Sequence, residues 1–68
     1  QHPHLQELER HAAEILRGLF GALRAVPSEM PRWYQRWVDE VGLERAVCDY
    51  LAGMTDRFIE KEHRRLVG

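Results

Sequence analysis

The chain has 68 residues, with ten Lys and Arg against eleven Asp and Glu, four His and a net charge of −1 at pH 7. A chain of this length is one small domain at most. It buries only about 60% of its unfolded surface and wants a disulfide, a metal or a partner to be secure. The charged and hydrophobic fractions, 31% and 44%, are those of a globular protein, and the balanced charge lacks the basic excess of a dedicated nucleic-acid or anionic-membrane binder.

Cys48 is the single cysteine, so no internal disulfide can form, and a reducing, cytoplasmic setting is the expectation. No apolar run approaches the roughly 18 residues of a membrane span. The chain opens on Gln1 rather than Met and shows no signal peptide; it reads as a piece of something longer.

Pro3, the Val26-Pro27-Ser28 stretch with Pro31 behind it, and Gly42 divide the chain into three helical segments. The first is predicted from about Pro3 to Arg24. Leu5, Leu8, Ala12, Ile15, Leu16, Leu19, Phe20 and Leu23 share one face at helical spacing, with Glu7, Arg10, Glu14 and Arg17 opposite. Gly18 and Gly21 in its middle suggest close approach of another backbone.

The second helix is predicted from about Glu29 to Val41, with Ser28 as its N-cap and Gly42 as its stop. Met30, Trp33, Tyr34, Trp37, Val38 and Val41 form its apolar face. The two tryptophans could stack bases or anchor a partner, but their i, i+4 placement favours core or a buried subunit contact.

The third helix is predicted from about Leu43 to Arg65. Its stripe of Leu43, Ala46, Val47, Tyr50, Leu51, Met54 and Phe58 is widened by an adjoining arc of Cys48, Thr55, Ile59 and Leu66. Arg45, Asp49, Asp56 and Glu60 are left as a narrow polar strip. So apolar a helix needs neighbours on more than one side, so the segment alone is expected to be molten or self-associated. Wheel arithmetic puts Arg57 inside the apolar arc, where its guanidinium must meet a carboxylate (Glu9, Asp49, Asp56 or one supplied from outside the segment, with a cross-helix partner favoured because Asp49 and Asp56 point to the opposite strip) or contact phosphate or ribose. The carboxylate partner is the preferred reading.

Little in this chain supports catalysis by itself. His2, His4, His11 and His63 lack the spacing of a metal-binding helix, Ser28 is explained as a cap, and Cys48 as a small hydrophobe.

The third segment carries a resemblance. Val47-Cys48-Asp49-Tyr50-Leu51-Ala52-Gly53-Met54-Thr55-Asp56-Arg57-Phe58 resembles the V-C-D-Y-I-A-G-M-T-D-R-aromatic signature near the C-terminus of bacterial deoxyguanosine triphosphate triphosphohydrolase-like proteins. Glu62-His63-Arg64-Arg65-Leu66 is similar to the E-H-x-R-L ending of that family. Gln1-His2-Pro3 resembles the end of its Tyr-Arg-His-Pro stretch, and Met30-Pro31-Arg32-Trp33 is similar to its Met/Leu-Pro linker. The stretch between Trp37 and Leu43 is shorter than in many members.

The resemblance implies an all-α segment, three amphipathic helices over residues 1–68, forming the C-terminal part of a larger HD-domain phosphohydrolase that converts a dNTP to deoxynucleoside and triphosphate. It implies a divalent metal, Mg or Mn, held by His and Asp residues outside this segment, since no His-Asp dipeptide occurs here. It also implies a homo-oligomer with no membrane association, whose partners are the HD domain and the dNTP. The segment would complete the core, border the nucleotide pocket and support subunit contacts. No catalytic residue is expected within it. His2 and Arg57 are the nucleotide-proximal candidates, and Asp49, Tyr50, Gly53, Met54, Thr55 and Asp56 of the signature read as structural. The alternative is a non-catalytic helical interaction module on the same scaffold.

Overall fold

A computed structural model describes residues 3–68, with side chains for residue 7 and residues 9–68. Among the described residues the fold is all-α: α1 (Pro3–Ala25), a 3-10 turn (Pro27–Glu29), α2 (Arg32–Val41), α3 (Leu43–Ala52) and α4 (Asp56–Leu66). No described helix is long and apolar enough to cross a membrane. The candidate nucleotide-proximal residue His2, together with Gln1, lies outside the described residues.

α1 runs for 23 residues, about 35 Å at 1.5 Å per residue, and dominates the 42 Å long axis. Of its predicted face, Leu19 and Leu23 are fully buried and Ile15 and Phe20 half-buried, while Ala12 and Leu16 are exposed. The C-terminal half of α1 is therefore the packed half. It lies against α3 and α4, and α2 packs on α3. The core joins Leu19 and Leu23 to Met30, Val47, Tyr50 and Leu51. Gly18 makes a close approach, although to side chains rather than backbone. A Cβ there would sit 3.3 Å from His63 Nε2 and 3.6 Å from Val67.

The linker departs from the expected cap. Ser28 lies within the 3-10 turn, and α2 starts later, at Arg32, with Pro31 in the N-cap position and no side-chain cap bond. Gln35 reaches back instead, its Nε2 donating to the Met30 carbonyl at 2.7 Å. One residue, Gly42, joins α2 to α3. Its φ of +91° lies where a Cβ is strained, and its N–H closes α2 on the Val38 carbonyl at 2.8 Å.

The predicted third helix, 43–65, is two helices. α3 stops at Ala52, with the Gly53 and Met54 N–H groups turning back to the Tyr50 and Leu51 carbonyls. Thr55 is extended (φ −78°, ψ 162°), and its hydroxyl oxygen accepts from the Phe58 N–H at 3.2 Å. A threonine side chain satisfies an orphan helix donor only from outside the helix, so Thr55 begins a second helix with Asp56 at its positive end. The break resets the helical phase. Ile59, Glu62, His63 and Leu66 turn inward, at the i, i+3, i+4, i+7 spacing of a packed face.

Candidate functional site

The new phase of α4 corrects the reading of Arg57. It is exposed, as is Glu9, and among the described residues Arg57 forms no ion pair. Phases counted from Leu43 cannot be carried through the extended Thr55, so the guanidinium never enters the apolar arc. Trp33 likewise is 66% exposed, because α2 packs on its α3 side and no helix among the described residues covers its other flank. Cys48 is exposed rather than packed as a small hydrophobe.

The buried charge is one that helix periodicity through the break conceals. Glu62 is 5% exposed. Its carboxylate accepts two bonds from one guanidinium, from Arg65 Nε at 2.9 Å and Nη2 at 2.7 Å, while Arg65 Nη1 reaches Glu29 Oε1 in the linker at 2.7 Å. A planar fork matched to a carboxylate is the geometry in which arginine pairs best. One side chain thus ties the last turn of α4 to the 3-10 turn. Arg65 holds the Glu62 carboxyl below the usual glutamate range, and the two carboxylates push the guanidinium up. Tyr50, whose ring lies 4.9 Å from that of Tyr34 and tilted by 48°, has its phenol raised by burial and by the Glu62 charge.

Asp49 is the second polar anchor. It accepts from the Trp37 indole N–H at 2.7 Å and from Arg45 Nε at 3.1 Å, and the indole bond, with Arg45 behind it, lowers its carboxyl below the ordinary aspartate value. The bond pins α2 to α3. Both carboxylates are more acidic folded than unfolded, so the stability they contribute is complete above the ordinary carboxylate range and is lost as pH falls through their folded values. A denaturant midpoint followed downward from neutral pH should therefore hold level to about pH 4.5, the ordinary glutamate value, and drop below it. Glu62→Gln should flatten that drop.

Of the signature residues, Tyr50, Gly53, Met54 and Thr55 come together with Tyr34 and Phe58 around a cleft of about 300 Å³. Asp49 lies on the α2 side of α3, and Asp56 is exposed in the first turn of α4. The larger opening is an apolar groove of about 740 Å³ between α1, α3 and α4, walled by Leu16, Phe20, Leu51, Met54 and Ile59, with Gly21 and Cys48 beside them and Arg17 at the polar edge. A Cβ on Gly21 would meet nothing within 4 Å, so no described residue is the close neighbour expected there. Among the described residues, no group of three or more His, Cys, Asp or Glu is placed to hold a metal ion.

Residues 1–65 match the family described as phosphohydrolase-associated domain. The chain is 42% identical over 66 residues, 97% of its length, to a deoxyguanosinetriphosphate triphosphohydrolase-like protein of Geobacter metallireducens, where the match covers 17% of the protein. It is 44% identical over 69 residues, 97% of its length, to a protein of the same name from Caulobacter sp. strain K31, covering 18% of that protein. A third protein of that name, from Paracoccus denitrificans, is 49% identical over 63 residues, 87% of this chain and 17% of the relative. The chain thus spans less than a fifth of the length of these curated relatives.

Proposed function

The chain belongs to the phosphohydrolase-associated domain family, and from that premise we propose that it is the C-terminal helical part of a dNTP triphosphohydrolase acting on dGTP or a related nucleotide. The observation that carries the reading is the match over nearly the whole chain to proteins named deoxyguanosinetriphosphate triphosphohydrolase-like. In the proposed reaction water attacks the α-phosphorus and the bond to the 5′-oxygen breaks, so the deoxynucleoside leaves with a proton from the water and the inorganic triphosphate keeps the water oxygen. The described residues hold no metal-binding set, and a Mg or Mn site of the enzyme is proposed outside this chain.

The segment's own part in this reading is to dock. A groove lined by Leu16, Phe20, Leu51, Met54 and Ile59 is apolar surface that a stable protein covers, and the remainder of a protein some six times longer than this segment is the proposed cover. His2 would border the nucleotide pocket, the exposed Trp33 flank would support contacts in a homo-oligomer, and the setting would be cytoplasmic. The test is product analysis. Full-length protein with dGTP and Mg or Mn should release inorganic triphosphate, and the 68-residue chain alone should release none. A folded full-length protein that turns over no dNTP would favour the non-catalytic interaction module instead.

A further inference from the structure

The apolar groove between α1, α3 and α4 continues beyond Leu16. Leu16 and Ile59 also wall a second cleft, of about 400 Å³, that runs on past Ile15 and Ala12 to His11. The two form one trough that follows α1 from Gly21 back to His11, about 15 Å at 1.5 Å per residue. Its walls are apolar, and its charges are placed at its edges. Asp56 and Glu60, on one side of α4 at i, i+4 spacing, stand at the His11 end, and Arg17 stands on the rim of the other half. All three charged side chains are exposed. Among the described residues none of them forms an ion pair, whereas Arg24, Arg45 and Arg65 each do.

Once the docking proposed above is the premise, the trough itself constrains what can fill it. An apolar wall offers no partner to backbone N–H and C=O groups, so an element laid along it must pair its own. A helix does so, and a lone strand or loop does not. A helix covers about 15 Å in about three turns. At Gly21, where a Cβ would meet nothing within 4 Å, there is room for one of its large apolar side chains. Covering the trough also takes water from Asp56 and Glu60, and carboxylates that lose water need a cation beside them. We propose that the trough holds an amphipathic helix of about three turns, drawn from the same protein outside this segment, with a lysine or arginine seated over Asp56 and Glu60. The matched relative is some six times longer than this segment, which leaves ample chain to supply that helix. A carboxylate on the same helix would meet Arg17, so the charges at the rim fix its register and the apolar walls hold it.

Hydrogen exchange of native full-length protein, read by peptide mass spectrometry, tests this. Asp56→Lys/Glu60→Lys should speed exchange at least about tenfold, the effect of setting a like charge against the docked cation, in one continuous stretch outside residues 1–68. That stretch should carry a lysine or arginine and apolar residues at i, i+3, i+4 and i+7. Its protection in wild type should not change with protein concentration. Asp56→Asn/Glu60→Gln keeps the side-chain size and removes only the charge. It should loosen the same stretch by a smaller factor, so the test does not depend on α4 accepting lysine in its first turn. Leu16→Asp separates this proposal from the docking it rests on, because it opposes any cover of the groove. If Leu16→Asp loosens a stretch and neither charge variant does, the groove is covered and the proposal is overturned. If none of the three variants loosens anything outside the segment, the docking falls with it. A loosened stretch without a basic residue would overturn the proposal as well. So would wild-type protection that falls on dilution, which would assign the trough to a second copy of the chain.

Discussion

Replacing Leu23 by Ala should cost the fold about 2–5 kcal/mol. Leu23 is fully buried in the second half of α1, in the cluster with Met30, Val47 and Leu51, and close-packed neighbours in the linker and on α3 cannot collapse into the vacated space. A domain of this size has a total stability of only about 3–10 kcal/mol, so this one truncation removes a large share of it. Leu16→Ala, about two helical turns away on the same helix, should change the stability of the segment itself by no more than about 0.5 kcal/mol, because Leu16 is 39% exposed. Denaturant titration of both variants checks the contrast. Equal losses would mean that the packed half of α1 is not where Leu19 and Leu23 place it.

The second large effect is expected from a charge at the same exposed position. Leu16→Asp puts a carboxylate on the wall of the apolar groove. In the segment alone that carboxylate is hydrated and harmless. Once the groove is covered it must be buried without a partner, which costs several kcal/mol or prevents docking. Full-length protein carrying Leu16→Asp should therefore lose at least about tenfold in triphosphate release, one factor of ten for each 1.4 kcal/mol of lost docking, while the helix content of the segment is kept. Unchanged turnover would show that the groove faces solvent in the complete protein.

Helical periodicity was enough to read α1, the Gly42 stop and the all-α class, because each rests on contacts within a few residues. The buried positions were legible only where the helix boundaries were right. Taking 43–65 as one helix turned Arg57 inward and left Glu62 unnoticed, although the local signal was present. Gly53 followed by Thr55-Asp56 is a helix stop, a side-chain cap and an acidic first turn in succession, and counting from Thr55 puts Ile59, Glu62, His63 and Leu66 on one face. The bond from the Trp37 indole to Asp49 and the reach of Arg65 to Glu29 across 36 residues depend on how α2 and α4 are set in space, which no local spacing encodes. The exposure of Trp33 and Cys48 has a different origin: among the described residues no neighbouring helix packs over either side chain, and local spacing carries no sign of which flank of a helix is left open.

Cys48 reports most directly on whether this segment is the docked flank of a larger protein. Its thiol is exposed beside the apolar groove and is the single cysteine of the segment. Alkylation at Cys48, followed by peptide mass spectrometry in the native full-length protein and in the same protein unfolded in urea, reports whether that groove is covered. Native alkylation should be at least about a hundredfold slower than in urea, the factor for an opening cost of about 2.7 kcal/mol. Labelling at the same rate in both states would contradict it.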